Sequence, residues 1–154
     1  MLACVSDKGL SLLEFTDRKN FERQIKSLEK YFGKEIIPGE HPLTDIVSNQ
    51  INEYFFEKRT LFDIPLYFAG TEFQKNVWNA LKEIPYGKTV SYSDIAKRIN
   101  KPAAVRAVAN ATGANKISLI VPCHRIIGKN GTLTGYAGGL YRKKFLLNLE
   151  KIIS

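Results

Sequence analysis

Apolar side chains recur along this chain with recognisable periods. Phe21, Ile25, Leu28 and Phe32 follow at i, i+4, i+7 and i+11, which places them on one face of an α-helix. Asp17 stands where that helix would be capped and Gly33 where it would end. Leu43, Ile46, Val47, Ile51, Tyr54 and Phe55 predict a second amphipathic helix beyond the Pro38-Gly39 and Pro42 breaks. Ahead of both, residues 1–6 and 10–15 flank Asp7-Lys8-Gly9 and read as a β-hairpin. Residues 61–68 are β-prone but interrupted by Pro65, which limits them to an edge strand or an extended linker.

The pattern changes after Ala69-Gly70. Thr71 is a cap for a helix carrying Phe73, Val77, Trp78 and Leu81, with Trp78 read as core. Beyond the turn Pro85-Tyr86-Gly87-Lys88 comes a short helix, capped by Ser91 or Ser93. Asn100-Lys101-Pro102 makes a turn, and residues 103–112 a second helix. Two short helices joined by a tight turn among Lys97, Arg98, Lys101 and Arg106 predict a helix-turn-helix. Two domains are expected, 1–69 and 70–154.

Charge sharpens this division. The net +8 is the sum of 9 Lys+Arg against 11 Asp+Glu in residues 1–70, giving −2, and 14 against 4 in residues 71–154, giving +10. An excess of that size on one half favours a polyanionic partner, although a solvated lysine-rich surface would look the same. The second helix of the motif offers Ala103, Ala104, Ala107, Ala109 and Ala111, with Arg106 its one long cation. Side chains this small allow close approach to a sugar-phosphate backbone and carry no base code, so the expected partner is double-stranded DNA with little sequence preference. Close packing of the alanines within the core accounts for them equally well.

The candidate chemistry lies at Ser118-Leu119-Ile120-Val121-Pro122-Cys123-His124-Arg125-Ile126-Ile127-Gly128. An apolar run that stops at proline predicts a strand carrying Cys123 inward. A thiol attacks as thiolate, and His124 and Arg125 are the neighbours able to lower its pKa, provided the chain bends at Pro122-Cys123. A Cys-His pair by itself is more often a packed thiol beside a core imidazole. Cys4 has no Cys or His partner at metal-ligand spacing and reads as a packed apolar residue. Two cysteines make no disulfide framework, and a reduced intracellular setting is expected: cytoplasmic, or nuclear in a eukaryote. No apolar run reaches the ~20 residues of a membrane span.

Val121-Pro122-Cys123-His124-Arg125-Ile126-Ile127, Thr134-Gly135-Tyr136-Ala137-Gly138-Gly139-Leu140 and residues 143–150 together resemble the O6-alkylguanine-DNA alkyltransferases. The resemblance is strong over residues 71–150 and loose before them. It implies a ribonuclease H-like α/β N-terminal domain with a small antiparallel sheet, then a mostly α domain with the helix-turn-helix. It implies irreversible transfer of the alkyl group of O6-alkylguanine, and in some members O4-alkylthymine, to Cys123, with no cofactor and no metal.

The resemblance also distributes roles. His124 deprotonates Cys123 through a water and Glu150 orients His124; on its own, Glu150 would read as a surface carboxylate. Tyr92 assists the leaving base. Arg106 fills the space of an extruded nucleotide, or else contacts phosphate, and Ala104, Ser91, Lys101 and Arg125 lie at the DNA. Tyr136, Ala137, Gly138, Ile126, Asn115 and Pro122 line the pocket. Lys116 and Ser118 replace prolines common in the family, which predicts a more accommodating pocket. The free protein is expected to be monomeric. The competing classes are a lesion sensor lacking transfer, argued against by the presence of Cys123, and a helix-turn-helix regulator, argued against by the alanines.

Overall fold

The computed structural model describes residues 1–153, which fall into two compact units, Met1–Gly70 and the described residues from Thr71 onward. In the first unit, β1 (Leu2–Ser6) pairs antiparallel with β2 (Gly9–Glu14), in register from Leu2 opposite Glu14 to Ser6 opposite Gly9, with an irregularity between Cys4 and Val5. Every residue of β2 is buried. Gly9 makes this possible: at φ +130° it lies so close to the next segment that a Cβ would come within 2.6 Å of the Pro65 carbonyl oxygen. Residues 61–68 are accordingly an extended segment with a single parallel bridge, Leu66 to Leu10. The Leu10 N–H donates to Pro65 O, and Tyr67 N–H donates back to Leu10 O. The sheet itself has two strands.

Helix α1 (Phe21–Phe32) buries Leu28 and leans Phe21, Ile25 and Phe32 against Cys4, Leu12 and Ala69, as the apolar spacing predicts. Asp17 is not its cap. Turns from Phe15 to Arg18 and from Arg18 to Phe21 intervene, and Asn20 occupies the cap position at φ 69° without a side-chain bond. Gly33 ends the helix in the left-handed conformation. Helix α2 (Pro42–Phe55) starts at His41, whose ring accepts from the Leu43 N–H at 3.1 Å.

In the second unit, α3 (Glu72–Lys82) opens on a capping box between Thr71 and Gln74. Trp78 is buried in it and donates from Nε1 to Ala111 O at 2.8 Å, joining α3 to α5. Ser91, not Ser93, caps α4 (Tyr92–Arg98), in a second box with Asp94. Helix α5 (Val105–Gly113) starts two residues later than the sequence suggests, because Ala104 N–H closes a turn on Lys101 O. Val108, Ala111 and Thr112 face inward, while Ala103, Arg106, Ala107 and Asn110 form the exposed stripe, so the alanines serve both faces. The last helix, α6 (Leu140–Leu149), has no clean apolar periodicity; its buried positions Lys143, Leu146 and Leu147 lead to Glu150 at spacing i, i+3, i+4, i+7. Among the described residues no helix is long and apolar enough to cross a membrane.

The strand expected over 118–121 is absent. Those residues form consecutive tight turns, with Ile120 N–H on Ser118 O, Val121 N–H on Ile117 O, and buried Leu119 at φ 71°. The Asn115 carboxamide imposes this, accepting from Ile117 N–H and donating to Val121 O, so the backbone is satisfied without a neighbouring strand.

Candidate active site

Pro122 leads into one turn of 3₁₀-helix, Cys123–Arg125, closed by Arg125 N–H on Pro122 O at 2.9 Å. This turn supplies the required bend. With three residues per turn, consecutive side chains leave the axis about 120° apart, so Cys123, His124 and Arg125 point three ways. A parallel bridge pins the chain on leaving the turn: Val90 N–H donates to Arg125 O and Ile127 N–H donates to Val90 O. The same bridge holds the start of α4, and Tyr92 with it, beside the turn.

Cys123 is 7% exposed and receives an N–H bond from Asn115 Nδ2 at 3.2 Å. His124 is fully buried, with Nε2 2.8 Å from Glu150 Oε1. A carboxylate can only accept, so Nε2 carries the proton and Nδ1, which has no hydrogen-bond partner, keeps its lone pair. Burial pushes the imidazole pKa down. The hydrogen bond and charge of Glu150 oppose this, and the charges of Arg125 and Lys143 add to it. The net direction is downward, so His124 is a neutral base at rest.

Glu150 is buried at the C-terminal end of α6. Burial pushes its carboxyl up, but hydrogen bonds from His124 and Arg125, the charge of Arg125 and, once it is protonated, that of His124 outweigh this and hold it at about 2. Both groups therefore have folded-state values below their ordinary ones, 6.5 for His124 and 4.5 for Glu150, and the unfolded chain binds more protons as pH falls. The stability they contribute is complete above those ordinary values and is lost on acidification, the Glu150 part between about 4.5 and about 2. The urea midpoint is expected to fall from pH 7 to pH 4 and below; a midpoint constant across that range would contradict the assigned charge states.

Arg125, expected at the DNA, is instead 5% exposed. Nε and Nη2 donate to Glu150 at 2.8 and 3.0 Å, Nη1 donates to Ile84 O at 2.6 Å, and the Tyr86 ring lies 5.8 Å from the guanidinium carbon. All three nitrogens are engaged inside the protein, which removes Arg125 from the DNA surface. Ser91, also expected at the DNA, is buried, and its hydroxyl serves the α4 cap with Asp94 Oδ2 at 2.7 Å.

The other expected residues divide into two places. Tyr92 is half-buried; burial raises its phenol pKa, the nearby Thr134 side chain opposes that, and the charge of Cys123 adds to it. Tyr136 meets the His124 ring edge-on at 6.5 Å, Pro122 and Ile126 are buried, and Gly138 gives its carbonyl to Arg142. Ala137 is exposed beside them, and Gly139 at φ 92° starts α6. Arg106 and Lys101 are exposed and Ala104 half-exposed, on the outer side of the helix-turn-helix, where a shallow groove runs from Ala103 and Ala104 along the exposed side of α5 to Asn110.

Sequence reasoning passed over Lys143. It is fully buried, with Nζ on Thr134 O at 2.6 Å, and burial brings its pKa from 10.5 to about 8, against the opposing pull of the Cys123 thiolate. Among the described residues it makes no ion pair with a carboxylate. The signal was available: a lysine at the first position of a stripe that otherwise runs Leu146, Leu147.

An exposed helix-turn-helix in the same compact unit as a thiol with a buried base and carboxylate defines a class, that of DNA-binding proteins with cysteine chemistry. Residues 72–152 match the family model described as "6-O-methylguanine DNA methyltransferase, DNA binding domain". The inducible methylated-DNA–protein-cysteine methyltransferase of Bacillus subtilis is 50% identical over 144 residues, covering 94% of this chain and 80% of that protein. The methylated-DNA–protein-cysteine methyltransferase of Methanosarcina acetivorans is 59% identical over 103 residues, covering 67% of this chain and 66% of its own length. The crystal structure of Mycobacterium tuberculosis OGT in complex with DNA superposes at a TM-score of 0.81 with 41% identity, over 97% of this chain and 84% of that one. The chain belongs to the methylated-DNA–protein-cysteine methyltransferase family.

Proposed function

We propose that this protein repairs DNA by direct reversal, moving the alkyl group of O6-alkylguanine irreversibly onto Cys123 Sγ. The observation that carries this is the pairing of His124 Nε2 with Glu150, which leaves the Nδ1 lone pair unengaged on the residue that follows the thiol in sequence. His124 takes the thiol proton through an intervening water, with Glu150 stabilising the imidazolium that forms. Sγ attacks the alkyl carbon, the carbon–O6 bond breaks, and its electron pair stays on the base. Tyr92, whose phenol is kept protonated, supplies a proton to the departing guanine. Its return from His124 leaves a thioether and neutral guanine. Lys143 and the Asn115 amide stabilise the thiolate before attack.

Stacked duplex hides the attacked atom, so the nucleotide is extruded, with Arg106 taking its place and the small side chains of α5 allowing close approach. Tyr136, Ala137 and Gly138 border the base, and Lys116 and Ser118 in place of prolines admit alkyl groups beyond methyl. Residues 1–69 form a ribonuclease H-like supporting domain, the free protein is a monomer, and it works where the DNA is. A thioether is not reversed by thiols, and Cys4, pushed up to about 11 by burial and by Glu29, is no exchange partner. One protein molecule therefore repairs one lesion.

A duplex whose restriction site is blocked by one O6-methylguanine tests this reading. Cutting is expected to be restored in proportion to protein added, one site per molecule. Arg106→Ala is expected to reduce the repair rate about 10-fold or more, through loss of the extruded state. Tight binding to the lesion without restored cutting would favour a sensor.

A further inference from the structure

We propose that Arg125 is a positioning residue that sets the charge balance of the His124–Glu150 pair, and through it the pH range over which Cys123 is activated. The inference deepens the alkyl-transfer reading and rests on it.

The Glu150 carboxylate is divided among four donors. Oε1 takes His124 Nε2 at 2.8 Å and Arg125 Nη2 at 3.0 Å; Oε2 takes Arg125 Nε at 2.8 Å and the Gly87 N–H at 3.2 Å. The guanidinium thus grips both oxygens in the two-pronged geometry that a carboxylate matches and fixes the plane in which Oε1 meets the imidazole. Arg125 is itself held by Ile84 O at 2.6 Å and by the Tyr86 ring, and Tyr86 Oη donates to Leu149 O at 3.0 Å. Its place is set by the segment 84–87 and the end of α6, independently of His124.

The charges explain why such a clamp matters. Glu150 and neutral His124 alone would be a buried net anion, and a buried anion beside imidazole invites permanent protonation. With Arg125 in place the resting trio is neutral. His124 then accepts a proton favourably only when Cys123 becomes the compensating anion, so the imidazole acts as a base for the thiol and not as a standing cation. The groups facing His124 are Glu150 and Lys143 from α6, Cys123 and Arg125 on its own turn, and the Tyr136 ring edge; Tyr92 acts on Cys123. Glu150 pulls a proton onto His124, and Arg125 and Lys143 oppose it. Arg125 is the member of this set that also holds the carboxylate.

Two variants separate charge from shape. Arg125→Gln keeps some hydrogen bonding and removes the charge; Arg125→Lys keeps the charge and loses the second prong. The His124 ring is followed by NMR against pH, with the other histidine removed as His41→Asn, and thiolate reactivity is read as the pH dependence of Cys123 carboxamidomethylation by iodoacetamide. Arg125→Gln is expected to raise the His124 midpoint and move the acid limb of the reaction upward by a unit or more, with high-pH rates near wild type. Arg125→Lys is expected to leave the limb in place while lowering the rate severalfold. Equal loss at every pH in both variants, with His124 titrating as in wild type, would overturn the proposal and leave Arg125 a structural ion pair. Should Arg125→Gln not fold, a shifted limb in Arg125→Lys would overturn it as well. Neither readout uses DNA, so a protein that failed to accept methyl from DNA would sink the alkyl-transfer reading without touching these outcomes.

Discussion

Glu150→Ala is expected to slow methyl transfer by about 100-fold or more and to lower stability by about 3–5 kcal/mol. The carboxylate holds together two otherwise separate cationic or proton-bearing groups: His124, fully buried, and Arg125, 5% exposed. Truncation leaves the guanidinium charge buried with no counter-ion, which is the situation in which removing one ion-pair partner is most damaging. It also frees the imidazole to rotate or change tautomer, so the Nδ1 lone pair proposed to take the thiol proton is no longer fixed. Glu150→Gln divides the two effects, because a carboxamide keeps an acceptor oxygen but no charge. It should retain more stability than alanine and recover little of the rate. Single-turnover transfer rates and urea unfolding measure both quantities, and transfer within threefold of wild type in Glu150→Ala would contradict the role given to the carboxylate.

Lys143→Met is expected to act in opposite directions on stability and on chemistry. The folded-state value of about 8 lies below the ordinary 10.5, so the unfolded chain binds the proton more tightly. The resulting destabilisation is fully present below pH 8 and is relieved as pH rises from 8 through 10.5. Methionine, of similar shape and without charge, removes that penalty but leaves Thr134 O without its donor, and a net gain of about 1–2 kcal/mol at pH 7 is expected. The thiolate meanwhile loses a buried facing cation, and transfer at pH 7 should slow by about 10-fold. A buried lysine that lowers stability and speeds chemistry is a stability–activity compromise. A less stable Lys143→Met protein with unchanged transfer would show the lysine to be structural.

Local elements were legible wherever a local cause fixed them. The apolar stripe of α1, the Thr71 and Ser91 caps and the Asn100-Lys101-Pro102 turn each arise from residues within a few positions. The hairpin is equally local, closing at Gly9. A run whose fate is decided elsewhere misled. Ser118, Leu119, Ile120 and Val121 have strand propensity, but Asn115 brackets them, bonding Ile117 N–H and Val121 O, and they close turns on their own backbone. Helix α6 was hidden because its buried stripe begins on a lysine and ends on a glutamate.

The site shows the same division. Cys123 and His124 stand next to each other in sequence and could be read as a pair, whereas nothing in the spacing of His124 and Glu150 speaks of 2.8 Å. That contact was expected only through family resemblance. Arg125 shows why adjacency is not enough. A cation beside the nucleophile in a DNA-binding protein invites a phosphate contact, yet a 3₁₀ turn sends it inward to the carboxylate. Lys143 escaped because charge at a helix position normally signals solvent, and only burial against the thiol gives it meaning.

Alkyl transfer to Cys123 is read out by intact-protein mass after incubation with a duplex bearing one O6-methylguanine. A gain of one methyl is expected that saturates at one per molecule, maps to the peptide containing Cys123 and not to that containing Cys4, and is absent from Cys123→Ser. Unmodified protein alongside repaired DNA, or a methyl found on Cys4, would contradict it.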